Sequence, residues 1–126
     1  MYIQRSIENI LKNRANNSKC VLIMGARQVG KSTLLKNIYP NVKYVTFDDI
    51  LLLSTALEDP KLFLKNLPKP SIIDEVQYAP NIFPYIKIEC DKDNAYENYY
   101  LTGSQQFHLM KNIQESLAGR ISILEL

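Results

Sequence analysis

Hydrophobic and polar positions divide the chain into two kinds of apolar segment that alternate. Short uninterrupted apolar runs are typical of strands buried on both faces. Residues 20–24 form such a run, and the largely apolar segments 42–47, 71–74, 99–103 and 120–126 are also predicted to be strands. Apolar residues at helical spacing fill the stretches around these runs. Helices are therefore predicted from residue 3 to the polar break at 16–18, over 31–38, across 52–57, from 59 through 67, over about 82–91 and over 106–117.

Residues at the predicted helix ends support these boundaries. Asp48 and Asp49 are suited to cap the helix across 52–57, and we prefer that role for them to metal binding. Asp59 followed by Pro60 is the usual order of an N-cap and a first helical proline. Gly119 is suited to a helix C-terminus. Strands that alternate with helices indicate an α/β fold, in which a mainly parallel five-stranded sheet carries helices on both faces.

Composition limits the chain to one ordinary globular domain. Its 126 residues suffice for one core, and 46% hydrophobic with 22% charged residues is typical of folded chains. The net charge of +2 neither requires nor excludes a nucleic-acid partner. No apolar run approaches the ~20 residues of a membrane span, and residues 1–14 lack signal-peptide character, so we expect a cytoplasmic protein. Cys20 and Cys90 have no metal-ligand spacing and are predicted to be buried, reduced thiols.

Residues 25–33, GARQVGKST, match the pattern G-x-x-x-x-G-K-[ST] of a phosphate-binding (Walker A) loop between a strand and a helix. Average residue frequencies produce such a match in roughly one chain of this length in a few hundred. Gly25 and Gly30 permit tight turns and a close approach of the backbone to phosphate. Amide groups around residues 28–32 and the N-terminal end of the following helix favour a bound anion.

The side chains and amides of this loop have distinct predicted roles. Lys31 is expected to bring its positive charge to the β- and γ-phosphates, and it is the most strongly implicated residue of the chain. The Ser32 hydroxyl is placed to ligate Mg²⁺. Gln28, Val29 and Thr33 complete the predicted nucleotide-binding set. A glycine turn that contains Lys-Ser by chance is the plain alternative.

An acidic pair ends the third apolar run, where Ile73 is followed by Asp74 and Glu75. The carboxyl ends of parallel strands line the ligand crevice of an α/β sheet. Asp74 is predicted to hold Mg²⁺ through water, and Glu75 is predicted to be the general base that polarises an attacking water. Two solvated acids at a strand end are the alternative, which the neighbouring phosphate loop disfavours.

Two later features are weaker candidates for the same site. Residues 101–106, LTGSQQ, end an apolar strand in small polar side chains, so Ser104 and Gln105 are candidates to sense the γ-phosphate or hold the attacking water. A simple strand-to-helix turn is the alternative there. Arg120 is a candidate to stabilise the charge of phosphoryl transfer, with an exposed arginine before a strand as the equal alternative.

Several motifs occur in one order along nearly the whole chain. They are GARQVGKST at 25–33, FDD at 47–49, EDP at 58–60, IIDEVQYAP at 72–80, LTGSQQF at 101–107 and SLAGRI at 116–121. In this order they resemble the N-terminal AAA-type domain of prokaryotic ATP-binding proteins that carry a separate C-terminal domain of unknown function. The resemblance covers residues from about 5 to 126.

The resemblance implies a P-loop NTPase three-layer sandwich that binds ATP and Mg²⁺. It places Lys31 and Ser32 in the first motif, Asp74 and Glu75 in the second (Walker B) motif, and a sensor position within 102–105. The family's C-terminal domain is absent here, which agrees with a chain that ends inside an apolar run. We therefore expect the chain to be a single domain at the start of a longer protein, with a homo-oligomer as a candidate assembly.

Three functions are compatible with these motifs. The leading one is ATP hydrolysis coupled to an unidentified partner, with weak turnover by this stretch alone. A nucleotide-dependent switch with negligible hydrolysis is the runner-up, and Glu75 argues against it because a binding module needs no base. A small-molecule kinase is the third, disfavoured because no arginine-rich lid follows the loop. The chain has no Asn-Lys-x-Asp element for reading guanine, which favours ATP.

Overall fold

The computed structural model describes residues 2–26, 30–92, 95–104 and 106–126. Strands and helices alternate through these residues as the apolar pattern predicts. The strands are β1 (Cys20–Met24), β2 (Lys43–Thr46), β3 (Ser71–Asp74), β4 (Tyr99–Gly103) and β5 (Ile121–Glu125). The helices are α1 (Tyr2–Asn16), α2 (Lys31–Ile38), α3 (Ile50–Glu58), α4 (Pro60–Lys65), α5 (Phe83–Asp91) and α6 (Phe107–Leu117).

All five strands form one sheet in the order β2-β3-β4-β1-β5. Every pairing is parallel, and β1 lies between β4 and β5. Parallel strands end at the same edge, so the segments that follow β1, β3 and β4 meet above neighbouring strand ends. The predicted α/β class with a mainly parallel five-stranded sheet is confirmed, and the sheet is parallel throughout.

Side chains of each central strand alternate between two apolar cores, one on each face of the sheet. Leu22 of β1 packs in the core that includes residues of α3 to α6, whereas Ile23 packs in the core that contains Leu11 of α1 and Leu35 of α2. All five residues of β1 are buried. The two cores confirm the three-layer arrangement, and they explain why both faces of β1 are apolar.

One predicted helix ends earlier than expected, and another is preceded by short 3₁₀ turns. The helix expected to run through residue 67 ends at Lys65, and Asn66 is its C-cap. The region near 82 begins as two short 3₁₀ turns, Val76–Tyr78 and Pro80–Ile82, before α5 starts. A proline lacks the amide hydrogen that a continuous α-helix needs, so Pro80 is accommodated only at the start of its own turn.

Aspartates cap two of the helices on the apolar face opposite α1. Asp49 accepts hydrogen bonds from the amides of Leu51 and Leu52 at the start of α3, and Asp59 accepts one from Leu62 in α4. The predicted capping role is therefore confirmed for Asp49. No helix within the described ranges has the length and apolarity to cross a bilayer.

Both cysteines are buried and neither forms a disulfide, in agreement with the predicted free thiols. Cys20 lies in β1 and Cys90 in α5, within the same apolar core. A hydrogen bond with Cys90 and burial raise the pKa of the Cys20 thiol well above its usual value. Cys20 therefore stays protonated at neutral pH and behaves as a small apolar residue.

Gly103 at the end of β4 allows α6 to pack closely against the sheet. A Cβ atom at this position would lie 2.8 Å from Cδ2 of Leu109 and 3.4 Å from Cγ2 of Val76. We predict that Gly103→Ala lowers the free energy of unfolding by about 1–3 kcal/mol, the usual cost of overpacking. Urea denaturation measures it. The cost should largely disappear in a Leu109→Ala background, and an equal cost in both backgrounds would contradict the steric explanation.

Candidate functional site

The carboxyl edge of the sheet carries a polar cavity of about 130 Å³. Its lining comes from three different segments of the chain, the start of α2 and the segments that follow β2 and β3. The lining residues are Lys31, Ser32, Asp48, Asp74 and Glu75. Four of these five were predicted from the sequence, and the topology brings them together because parallel strands end at one edge.

The loop after β1 turns sharply into α2 at Gly30. Gly30 has φ 78° and ψ 33°, a left-handed conformation that residues with a Cβ rarely adopt. Its carbonyl accepts the first helical hydrogen bond, from the amide of Leu34 at 2.9 Å. Gln28 and Val29, which were predicted to contribute amides to nucleotide binding, lie outside the described residues.

Lys31 is the first residue of α2, and its side chain turns back over the preceding loop. The residue is only 4% exposed. Its Nζ donates to the carbonyl oxygens of Gly25 at 2.9 Å and Ala26 at 3.1 Å. These partners are neutral, so the buried ammonium keeps its charge available for an anion at the helix N-terminus. Thr33, another predicted binding residue, is exposed on α2.

Asp74 is held by hydroxyl groups from the strands on either side of β3. Tyr44 and Thr46 of β2 each donate to Oδ2 at 2.9 Å, and Thr102 of β4 donates to Oδ1. Asp74 is 5% exposed. Hydrogen bonds from three hydroxyl groups fix the position of the carboxylate. Such a carboxylate is suited to orient a water ligand of a metal.

Glu75 follows β3 in a left-handed conformation, with φ 62° and ψ 51°. This conformation is uncommon for a residue with a side chain, and such residues concentrate at functional sites. Its amide donates to Thr102 Oγ1 at 3.0 Å, and its Oε1 accepts from Gln77 Nε2 at 2.7 Å. With this sharp turn, Glu75 lines the same cavity as Asp74, its neighbour in the chain.

Asp48 belongs to this acidic group, although the sequence favoured a capping role for it. Its carboxylate, with those of Asp74 and Glu75, places one oxygen from each residue within 4.8 Å of the others. Asp49 performs the capping that was assigned to the pair. The reason is tertiary, since β2 and β3 are adjacent and Asp48 follows β2 where Glu75 follows β3. Carboxylate oxygens are the ligands that Mg²⁺ prefers.

The residues of this edge therefore fit a metal-bound polyphosphate. Clustered carboxylates repel one another and are stabilised by a cation, while Lys31 and the start of α2 attract an anion. Ser32 lines the same cavity. Adjacent sites for a cation and for an anion suit a ligand that contains both, such as a polyphosphate with a bound metal ion.

The end of β4 approaches the loop after β1, as the sequence predicted. Gly103 accepts a hydrogen bond from the amide of Gly25 at 3.3 Å. The Ser104 hydroxyl is buried and has no hydrogen-bond partner among the described residues. A buried polar group without a partner is uncommon and marks a position that a ligand or water can fill. Gln105 lies outside the described residues.

Arg120 lies at the opposite edge of the sheet from the cavity. It precedes β5, and its carbonyl accepts from the amide of Cys20 at the start of β1. The length of β1, about 13 Å at ~3.3 Å per residue, separates it from the loop. Its Nε and Nη2 donate to the two carboxylate oxygens of Asp91 at 2.8 Å and 3.0 Å. These hydrogen bonds hold the pKa of Asp91 below its usual range.

Three residues that support the site were not predicted from the sequence. They are Tyr44, Thr46 and Gln77, which bind the two carboxylates of the acidic pair. Thr102, which binds Asp74, lies within the range 102–105 in which the resemblance implied a sensor position. Burial and the hydrogen bond to Asp74 raise the pKa of Tyr44 to about 12, so its hydroxyl stays protonated and donates at neutral pH. A period-two pattern places Tyr44 and Thr46 on one face of β2, which is the signal that was available.

Fold and site together define the class of this protein. A five-stranded parallel sheet flanked by helices, with a strand–loop–helix carrying Gly30 and Lys31 at its carboxyl edge, is a P-loop NTPase-like domain. The chain belongs to the family described as "AAA domain", which matches it over residues 17–126.

Relatives in other organisms share most of this chain. Uncharacterized proteins of Mycobacterium tuberculosis and Mycobacterium bovis are each 33% identical to it over 117 residues, or 92% of the chain. The match covers 26% of either protein, so the chain spans about a quarter of their length. The crystal structure of a DNA replication initiation factor matches 97% of this chain and 44% of its own, with a TM-score of 0.56 and 16% identity. At that identity the likeness shows the fold alone.

Proposed function

We propose that this domain binds ATP with Mg²⁺ and hydrolyses it. One observation carries the proposal: the buried Lys31 ammonium and the acidic cluster of Asp48, Asp74 and Glu75 line one small cavity at a helix N-terminus. A structural ion pair does not need the left-handed glycine and the turned-back lysine of this loop. A polyphosphate with a bound cation has the complementary charges.

In this proposal the residues of two loops surround the phosphates. The loop glycines, Gly25 and Gly30, bring the backbone close, and Lys31 binds the β- and γ-phosphates. The other nucleotide-binding residues are Gln28, Val29, Ser32, Thr33, Ser104 and Gln105. Ser32 and Asp74 would hold Mg²⁺, which supplies charge neutralisation on the phosphate oxygens when it is bound.

Glu75 is the proposed general base. It accepts a proton from the water that attacks the γ-phosphorus, while the bond from that phosphorus to the ADP oxygen breaks and ADP leaves. The buried position and the fixed backbone of Glu75 support this role over that of a solvated acid. A nucleotide switch with negligible hydrolysis is the competing function, and the tests below distinguish the two.

Removal of the Lys31 charge should weaken nucleotide binding. Lys31→Ala loses a charge-assisted contact worth about 1.5–3 kcal/mol, which corresponds to an affinity loss of roughly tenfold or more. Calorimetric titration with ATP measures this loss, and a thermal melt checks the fold. Lys111→Ala, at an exposed position on α6, is the matched control. A folded Lys31→Ala protein with unchanged affinity would contradict the assignment of the loop.

The acidic pair should separate by role. Glu75→Gln keeps the size of the side chain but accepts no proton, so turnover should fall by about 10² or more while ATP still binds. Asp74→Asn should instead weaken binding that depends on Mg²⁺. Phosphate release by the full-length protein and titrations with and without Mg²⁺ give these quantities. Wild-type turnover by Glu75→Gln would place the base elsewhere and favour the switch.

A catalytic role for Arg120 requires a second subunit, because the residue lies at the far edge of its own sheet. In a homo-oligomer, an arginine supplied in trans contributes about 10³–10⁵ in rate, so Arg120→Ala and Lys31→Ala should each be inactive. Mixed oligomers of the two variants should regain part of the turnover, since one interface pairs an intact loop with an intact arginine. No recovery in confirmed mixed oligomers would leave Arg120 a structural role through its contacts with Asp91 and the Ala118 carbonyl.

A further inference from the structure

We infer that Gln77 is a positioning residue that ties the Glu75 carboxylate to the backbone of the loop after β4. The inference rests on the proposed function, because it gives Glu75 the role of base. Gln77 Nε2 donates to Glu75 Oε1 at 2.7 Å, and Gln77 Oε1 accepts from the amide of Ser104 at 3.2 Å. One carboxamide thus spans the ends of β3 and β4.

The two partners fix the orientation of this amide. A charged carboxylate only accepts hydrogen bonds, and a backbone amide only donates one. The Gln77 nitrogen must therefore face Glu75, and its oxygen must face Ser104. A glutamate at position 77 would lack the donor, and an apolar side chain would lack both groups. The bridge consequently depends on the residue type and not only on its size.

The bridge controls the one part of Glu75 that its backbone does not fix. The Glu75 amide is bound to Thr102, which sets the main chain, whereas rotation about the side-chain bonds still moves the carboxylate. A displacement of a catalytic group by about 1 Å can cost up to ~10² in rate. Gln77 restricts this rotation with a hydrogen bond to a charged group, which is among the stronger kinds.

The other end of the bridge lies where a nucleotide would be sensed. Ser104 is a proposed nucleotide-binding residue, and its hydroxyl is buried without a partner among the described residues. A ligand that shifts the Ser104 backbone would move Gln77 Oε1, which accepts from the Ser104 amide. Gln77 Nε2 belongs to the same carboxamide, so the donor to Glu75 would move with it. Gln77 therefore couples occupation of the β4 loop to the position of the base. Simple packing beside Gly103, where a Cβ would lie 3.5 Å from Gln77 Oε1, is the competing role.

The first test follows the Ser104 amide by NMR in the nucleotide-free protein, and it needs no turnover. Gln77→Met keeps the length of the side chain and removes both hydrogen bonds, so it should move the Ser104 amide signal by itself. In the wild-type background, Glu75→Ala should also move the Ser104 amide signal. In the Gln77→Met background, the displacement caused by Glu75→Ala should be at least twofold smaller. Equal displacements in both backgrounds would overturn the bridge.

The second test measures turnover by the full-length protein. Gln77→Met should lower kcat about tenfold or more, while the Kd for ATP changes less than twofold. The same substitution added to Glu75→Gln should cause no further loss, because Gln77 acts through Glu75. Gln114→Met, at an exposed glutamine on α6, should match the wild type.

The outcomes separate the failure of the inference from the failure of the proposed function. Two results would show that Gln77 only packs beside Gly103. One is an unchanged kcat in Gln77→Met, and the other is a loss of kcat from Gln77→Met that is as large in the Glu75→Gln background as in the wild type. Gln77→Glu, which keeps the acceptor for Ser104, should also lower kcat, and wild-type turnover in that variant would overturn the donor role. Full turnover by Glu75→Gln alone would instead remove the proposed base, and the NMR test would still decide the bridge.

Discussion

The Thr102 hydroxyl is the group on which the geometry of this edge depends. It is fully buried in β4, where it donates to Asp74 and accepts from the amide of Glu75. One hydroxyl carries one hydrogen and two lone pairs, so it satisfies both neighbours at once. Because β4 also pairs with β1, with Thr102 opposite Ile23, the same residue relates the acidic pair to the loop that begins after β1.

Hydrogen bonds to polar groups stabilise the buried charged side chains at this edge of the sheet. Lys31, Asp74 and Glu75 are each less than 10% exposed, at a depth where unpaired charges are costly. Carbonyls hold the lysine, three hydroxyls hold Asp74, and an amide side chain holds Glu75. Neutral dipoles position these charges without cancelling them, which leaves both signs of charge at the cavity. That combination distinguishes a ligand site from a structural ion pair.

The parallel sheet gives its two edges different properties. The carboxyl edge collects the segments after β1, β2, β3 and β4, and its polar side chains converge. The amino edge carries Arg120, whose guanidinium is engaged by Asp91 and by the Ala118 carbonyl. Distance along the chain from the loop after β1 therefore says little about which residues share its cavity.

Local sequence patterns are enough to predict the fold class, the turn at Gly30 and the acidic end of β3. Local rules suffice for these features, because apolar periodicity, helix caps and the G-x-x-x-x-G-K-[ST] spacing act over a few residues. Lys31 and Ser32 follow from that spacing, and Asp74 and Glu75 follow from their place at the end of a buried strand. The end of α4 differs from the prediction, because the cap at Asn66 ends the helix before Leu67.

Strand order and register set which polar side chains meet across the sheet, and neither follows from a local pattern. Asp48 and Asp49 are equivalent in the sequence, but the pairing of β2 with β3 directs one to the acidic cluster and leaves the other to cap α3. Tyr44, Thr102 and Gln77 are ordinary residues of strands and turns until strand order sets their neighbours. Hydrogen bonds between strands distant along the chain depend on register and order, and no local pattern encodes either.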